Sequence, residues 1–253
     1  MNQTEFAAAP AEAPATPRLS PWERARRVFV SPSTAWQGLE VQVQWWIPLL
    51  ASLLMTVVMF VTLYDRAFTP MLLDQMDQQV VSGQVPAEQA DKIEAFYASK
   101  AGMAIMGGTQ LVAVAGMSFV VALVVWFGVG FVLGAKFRYR LALEAVTWSG
   151  LVTLPSYLVM MAVAWSQETM KGIHLGLAAL LPQAESPSKF QLGLTVFLDA
   201  ISPFAAWNLF VLVLACSALA GAPRRNVAWV LVSLYLALFA IAAVVSALMA
   251  PGA

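Results

Sequence analysis

Five long apolar segments constrain the fold of this chain more than any other feature of its sequence. A helix needs about 20 consecutive apolar residues to cross the hydrocarbon core of a bilayer. Inside lipid every backbone N–H and C=O group must be paired, so each segment is predicted to be a helix. The predicted spans cover residues 47–64, 108–135, 141–165, 200–221 and 227–249.

Composition favours the same class of protein. Only 11% of the 253 residues are charged, whereas a soluble domain contains about a quarter. We therefore predict an all-α, polytopic integral membrane protein with five transmembrane helices. The net charge of zero gives no support to a nucleic-acid partner, and none is expected. The single cysteine, Cys216, excludes an internal disulfide and a cysteine-based metal site.

The distribution of basic residues predicts the orientation in the membrane. Short cytoplasmic loops carry an excess of lysine and arginine. A cytoplasmic N-terminus and an outer C-terminus place nine basic residues inside and five outside. The nine are Arg18, Arg24, Arg26, Arg27, Lys136, Arg138, Arg140, Arg224 and Arg225.

The chain divides into four predicted parts. Residues 1–17 are rich in alanine and proline and lack an apolar core, so we expect a disordered tail and no cleavable signal peptide. A cytoplasmic amphipathic interfacial segment (18–44), the five-span membrane domain (45–249) and a short outer tail (250–253) follow.

The two predicted outer loops cover residues 65–107 and 166–199. The first loop is polar and mildly acidic, and its apolar periodicity predicts two short helices. These helices either cap the outer ends of the spans or offer a docking surface to a partner. The second loop contains GIHLGLAALLP, which is too short to span and is predicted to be an interfacial or re-entrant helix.

Arginines alternate with aromatic residues in the segment PWERARRVFV, just before the first span. On a helix that begins at Trp22, the apolar side chains share one face and Arg24 and Arg27 lie off it. This pattern predicts a helix in the membrane plane whose arginines face anionic head groups. The predicted membrane-surface anchor comprises Trp22, Arg24, Arg26, Arg27 and Phe29.

Small and polar residues within the spans are the remaining candidates. Glycines in the second span allow close helix approach, within this chain or in a homodimer. They are Gly116, Gly128, Gly130 and Gly134. The candidate polar intramembrane or interfacial residues are Arg140, Glu144, Ser149, Thr153, Ser156, Asp199, Ser202 and Asn208.

The charged candidates have simple structural interpretations. Glu144 follows Arg140 by four residues and shares its helix face, as in an interfacial ion pair. Asp199 is predicted to open the fourth span, where the helix dipole favours a carboxylate. The polar candidates of spans three and four either pack by hydrogen bonds or line a wet cavity.

The sequence contains no pattern typical of catalysis. No serine or cysteine has an ionisable base within the spans, and HExxH is absent. No charge lies in the middle of a span, which argues against ion-coupled transport. We therefore expect no catalytic residue, no cofactor and no metal.

Two stretches resemble the Yip domain family of Ypt/Rab-interacting membrane proteins, in particular its bacterial branch. The first is RVFVSPSTAWQGLE followed by WWIPLLASLL, in which a basic segment and a Ser-Pro precede a proline-containing span. The second comprises YRLALEAVTWSGLVTLPSYLV and LDAISPFAAWNLFVLVLACSALAG, before a basic turn and a last span. The resemblance covers about residues 24–249.

The resemblance implies a non-enzymatic accessory or scaffold protein of a bacterial inner membrane. Bacterial relatives look like accessory subunits, some of them associated with ABC-type exporters, so a membrane-protein partner is expected besides lipids. One alternative is a small homo-oligomeric transporter or channel that uses the polar residues of spans three and four. A second is a membrane-shaping or trafficking factor, as eukaryotic relatives are.

Overall fold

A computed structural model describes residues 18–81, 83, 85–182 and 188–249 of the chain. The predicted disordered tail (1–17) and outer tail (250–253) lie outside these residues. The described residues form helices joined by short turns and contain no β strand. The ten α-helices are α1 Pro21–Val30, α2 Trp46–Leu63, α3 Thr69–Val81, α4 Ala87–Tyr97, α5 Lys100–Trp126, α6 Tyr139–Gly150, α7 Leu154–Gln167, α8 Lys189–Asp199, α9 Pro203–Ala220 and α10 Arg224–Met249.

Five of the described helical stretches are long and apolar enough to cross a membrane, which confirms the predicted fold class. Some of these stretches combine two elements. A π-helical turn follows α2 in the first stretch and α5 in the second, and a 3₁₀ turn joins α6 to α7 in the third. The stretches are Trp46–Val81, Lys100–Val132, Tyr139–Gln167, Pro203–Ala220 and Arg224–Met249. The orientation of the termini remains a prediction.

The first stretch is longer than a membrane requires. A π-helical turn at Tyr64–Phe68 joins α2 to α3 in one continuous helix of 36 residues. At 1.5 Å per residue this helix is about 54 Å long, against a hydrocarbon core of about 30 Å. The polar sequence of α3 identifies the α3 end as the part that projects. Helix α4 then returns the chain, and its end is fastened where the Tyr64 hydroxyl donates to the Tyr97 carbonyl (2.8 Å).

The fourth span is preceded by a separate helix that the sequence did not reveal. We expected Asp199 to open this span, but Asp199 ends α8, and α9 begins after a break at Ser202. The Ser202 hydroxyl caps α9 by accepting the Ala205 N–H (3.1 Å). Helix α8 packs along α10, and a Cβ atom at Gly193 would lie 2.8 Å from the Ala243 carbonyl oxygen.

The GIHLGLAALLP run forms only a short 3₁₀ turn, Leu177–Leu180, and not the predicted helix. The Leu177 N–H donates to the Ile201 carbonyl (3.0 Å), and the Gly176 N–H donates to the Asp199 carboxylate (3.2 Å). The backbone N–H groups of this run therefore donate hydrogen bonds to the break between α8 and α9, where acceptor groups lack a partner within a helix.

The larger of two apolar cores joins the N-terminal segment to the membrane helices. Val28, Trp36 and Leu39 are buried together with residues of α5, α6, α9 and α10. A smaller core around Met59, Leu63 and Ala164 lies at the other end of the bundle. Residues 18–44 are therefore part of the folded bundle and do not form a separate surface strip.

The four glycines expected at helix contacts have different surroundings. A Cβ atom at Gly128 would lie 2.5 Å from the Leu234 side chain, so Gly128 permits the approach of α10 to the π-helical turn Phe127–Val132 that follows α5. Gly130 lies beside Trp126 and beside Phe137, which belongs to the turn after this helix. Gly116 and Gly134 face open space within the chain. Gly134 has a positive φ of 65°, so its role is to end the helix.

The valine substitution Gly128→Val should separate α10 from the π-helical turn after α5, because the new methyl groups would meet Leu234 and the stiff side chain of Val230. We expect a loss of about 1–3 kcal/mol in the free energy of unfolding, measured by thermal unfolding in detergent. Gly116→Val is the matched control, since it adds the same side chain to the same helix in open space. Equal destabilisation by both substitutions would contradict this account of Gly128.

Candidate functional site

Arg24 is the most unexpected charged residue of the structure. The sequence predicted that it faces anionic head groups, but its side chain is fully buried on the inner side of α1. The helix turns one face toward the bundle, and that face carries Arg24 and Val28. Arg24 is therefore corrected from a membrane-surface anchor to a buried cation.

Four oxygen atoms that follow α1 in the sequence accept hydrogen bonds from the Arg24 guanidinium. Its Nη1 donates to the Ala35 carbonyl, and its Nη2 donates to the Gln37 carbonyl (3.0 Å). Its Nε donates to Oε1 of Gln44 (3.0 Å), and Nη2 also donates to Oε1 of Gln42 (3.1 Å). The fixed fork of the guanidinium thus holds the whole 35–44 segment in one conformation.

Glu144 supplies the negative charge near this cation. Its side chain is fully buried in α6. Its Oε1 accepts the backbone N–H of Gln44 (2.7 Å), and its Oε2 accepts the indole N–H of Trp148 (3.2 Å). The Trp148 ring also lies 5.7 Å from the Arg24 guanidinium carbon, a cation–π distance.

Arg140 ties the same segment to α6 from its solvent side. It lies 3.8 Å from the Glu144 carboxylate, at the predicted four-residue spacing. Its guanidinium also donates to the Gln42 carbonyl (2.8 Å) and to the Glu40 carbonyl (2.6 Å). We call Arg24, Gln42, Gln44, Arg140 and Glu144 the entry clasp, because they join the approach to the first span with the start of the third.

The electrostatics of the entry clasp favour a permanently charged arginine. Burial lowers the pKa of the Arg24 guanidinium to about 10, and the Glu144 charge opposes this shift. Arg24 is therefore protonated at neutral pH. A buried charge is costly unless hydrogen bonds and opposite charge compensate it, and four hydrogen bonds and the nearby Glu144 carboxylate do so for Arg24. The entry clasp contains no nucleophile. Its hydrogen bonds hold the segment before the first span against α6.

The other predicted anchor residues lie on the opposite side of α1. Trp22 is 83% exposed, and Arg26 and Phe29 are exposed as well. Arg27 forms an ion pair with Glu23 (2.6 Å). Contact of Trp22, Arg26 and Phe29 with lipid stays a prediction.

Two of the intramembrane candidates, Thr153 and Asn208, line a cavity of about 320 Å³ between the helices. Thr147 of α6 also lines it, together with Ser52 and Ser118 from the first two spans. The Asn208 side-chain oxygen is buried and has no hydrogen-bond partner among the described residues.

The other polar candidates lie outside this cavity. The hydroxyl of Ser149 donates to the Val146 carbonyl (3.1 Å), and that of Ser156 donates to the Thr153 carbonyl (2.6 Å). Ser202 is occupied as the cap of α9. These three hydroxyls therefore form hydrogen bonds with backbone groups of the helical stretches that carry them.

His174 and Asp199 approach each other near the break before α9. Their Nδ1 and Oδ2 atoms are 3.6 Å apart. No group of three or more His, Cys, Asp or Glu residues that could hold a metal occurs in the described part of the chain.

Sequence reasoning missed Gln42, Gln44 and Trp148. The two glutamines in QVQWW just before the span were the available signal, because polar amides next to an apolar segment need partners. Their partner Arg24 could not be identified without the turn at residues 31–41.

One comparison with known proteins gives a match. The family model described as Yip1 domain matches residues 26–246. No curated protein and no solved structure matches the chain.

The substitution Arg24→Met should destabilise the protein by on the order of 3 kcal/mol, because it removes four hydrogen bonds and leaves their buried or half-buried acceptors without a donor. We expect a lower unfolding temperature and faster chymotrypsin cleavage near Trp36, which is buried in the intact protein. Arg26→Met is the control, because it removes the same side chain from the exposed side of the same helix. If Arg24→Met cleaves no faster than Arg26→Met, the entry clasp does not hold the segment.

Proposed function

The chain belongs to the Yip1 domain family, and we propose that it is a non-enzymatic accessory subunit that binds another membrane protein through a helical arm on its outer side. It is a multi-pass integral membrane protein, and the family is not known for enzymatic activity. The helical arm comprises α3 and α4. Its length and charge carry the proposal.

The outer arm extends beyond the thickness of the bilayer. Helices α2 and α3 are continuous, so the direction of α3 is set by α2, which is the first membrane helix. The base of the arm is fixed by Arg66, whose guanidinium donates to the Trp165 carbonyl (3.1 Å) and pairs with Glu168 (2.8 Å). A surface held on rigid helices is suited to specific docking, since little entropy is lost on binding.

Exposed carboxylates make the surface of the outer arm acidic. Five acidic side chains are exposed on α3 and α4, and none has an ion pair among the described residues. They are Asp74, Asp77, Glu88, Asp91 and Glu94. Such a surface favours a partner with a basic patch on the same side of the membrane, because complementary charge speeds and orients association.

We place the protein in a bacterial inner membrane and regard an ABC-type exporter as one possible partner. The resemblance to bacterial accessory subunits supports this assignment. The basic residues at the ends of the helices near α1 support the orientation with that side in the cytoplasm. The outer arm would then face the compartment outside the cytoplasm.

Reversal of charge on the outer arm tests the proposal. The full-length protein is purified gently from native membranes, and its stoichiometric membrane partner is identified by mass spectrometry. The double substitution Asp74→Lys/Asp77→Lys should reduce recovery of that partner about tenfold, as expected for two lost ion pairs at an interface. Raised salt should weaken the wild-type complex in the same direction.

The control is Asp65→Lys, which reverses an exposed charge on the same continuous helix below the arm. It should retain the partner, and both variants should keep the wild-type unfolding temperature. Recovery of the protein without any partner, or a partner equally bound by Asp74→Lys/Asp77→Lys, would rule out docking through the arm.

A second function is favoured by the intramembrane cavity, namely passage of small neutral molecules. Its serine and threonine hydroxyls donate to carbonyls of their own helices, for example Ser52 to Pro48 (3.0 Å) and Thr153 to Gly150 (2.7 Å). The cavity therefore offers mainly acceptors, including the unpartnered Asn208 oxygen. Such a lining favours a solute that donates hydrogen bonds.

Proteoliposome swelling with glycerol and urea tests this second function. We expect uptake above that of protein-free vesicles and a loss of about tenfold with Asn208→Leu, because one lost hydrogen bond costs about 1.4 kcal/mol. Ser156→Ala is the control, since it removes an intramembrane hydroxyl outside the cavity. Uptake equal to that of protein-free vesicles would exclude passage of these solutes.

A further inference from the structure

A groove runs along α9 to the start of α10 and is closed at one side by the 3₁₀ turn Pro32–Thr34 of the N-terminal segment. Its volume is about 740 Å³, within the range of about 300–1,000 Å³ that small-molecule sites occupy. Its lining includes Pro32 of this turn, Trp207 and Phe210 of α9, and Arg224 and Arg225 of α10.

One part of this groove is apolar and lies within the fourth span. Val213 and Leu214 are buried and form its floor. Trp207 and Phe210 are exposed, and their ring centroids are 5.5 Å apart. This part presents a hydrocarbon surface about two helical turns long.

The other part is basic. Arg224 and Arg225 are exposed at the start of α10, and neither has an ion pair or side-chain hydrogen bond within the described residues. Arg24, Arg66 and Arg140, by contrast, donate to carbonyl oxygens of the protein. The two groove arginines therefore keep all their donors for a ligand, and the guanidinium group binds phosphate through paired hydrogen bonds.

The surrounding surface has the same sign of charge. Within the described residues, the N-terminal segment (18–44) and the span ends that meet it carry nine basic residues and three acidic ones. The three acidic residues are Glu23, Glu40 and Glu144. Glu23 pairs with Arg27 and Glu144 lies in the entry clasp, so neither is free to neutralise the groove.

We propose that this groove binds one anionic phospholipid, with its phosphate at Arg224 and Arg225 and an acyl chain against Trp207 and Phe210. A soluble phosphate would use only the basic part and leave the aromatic surface uncovered. A transmembrane helix of a partner would cover the apolar part but would bring no anion. A phospholipid carries an anionic group and a hydrocarbon chain in one molecule, and basic pockets between membrane helices on the cytoplasmic side bind anionic head groups. The site stands independently of partner binding by the outer arm.

Native mass spectrometry of the full-length protein in detergent tests the site with palmitoyl-oleoyl phosphatidylglycerol and with the matching phosphatidylcholine. The wild type should retain one phosphatidylglycerol in preference to phosphatidylcholine. Arg224→Gln/Arg225→Gln should weaken phosphatidylglycerol binding by about tenfold to thirtyfold, since each arginine near a head group contributes about 1 kcal/mol. Phosphatidylcholine binding should be unchanged, and excess inorganic phosphate should not displace the lipid.

A second measurement locates the acyl chain. Phosphatidylglycerol with a brominated acyl chain quenches nearby tryptophans, and the contribution of Trp207 is the difference between wild type and Trp207→Phe. The brominated lipid should quench the Trp207 fluorescence in the wild type. In Arg224→Gln/Arg225→Gln the Trp207 fluorescence should remain unquenched.

The control for charge alone is Lys136→Gln/Arg138→Gln, which removes two basic residues from the neighbouring turn outside the groove. It should leave both measurements at wild-type values. The site is refuted if the control reduces binding as much as the groove variant, if the groove variant binds phosphatidylglycerol normally, or if inorganic phosphate displaces the lipid.

Discussion

The hydrogen bond from the Gln44 N–H to the buried Glu144 carboxylate joins residues 100 positions apart. It fixes the point at which the chain enters its first span relative to the third span. Arg24 can be buried only because this carboxylate and the surrounding carbonyls are already in place, and the apolar contacts of Val28, Trp36 and Leu39 follow from the same arrangement. The groove closed by Pro32 depends on it as well, because the turn that carries Pro32 is held by the clasp.

Hydropathy was sufficient to predict the all-α, five-span fold, because an unbroken apolar run of about 20 residues has the length of a membrane helix, which pairs all its backbone groups within itself. The same method failed at Asp199, since the apolar residues of the break after α8 extended the predicted fourth span back to residue 200, and the residues of α8 were assigned to an outer loop. The Ser202-Pro203 pair was the usable signal, being a cap followed by a proline at the first helical position. Recognition of the family from degenerate apolar motifs succeeded because those motifs extend over nearly the whole chain.

The candidate site was predicted less well than the fold. Charge alone cannot distinguish a buried arginine from one at the membrane surface when its acceptors are backbone carbonyls, as they are for Arg24. The roles of the glycines were equally hidden. Gly128 and Gly134 lie six residues apart in one apolar run, yet one admits α10 and the other turns the chain.

The burial of Arg24 also has a consequence for biosynthesis. Arg24 leaves the ribosome 120 residues before Glu144, and the second span must be inserted before the third arrives. Until then the guanidinium has neither the Glu144 carboxylate nor the α6 surface beside it, so it cannot be buried as in the native structure. Closure of the clasp is thus a late event, although Arg24 is synthesised before all five spans.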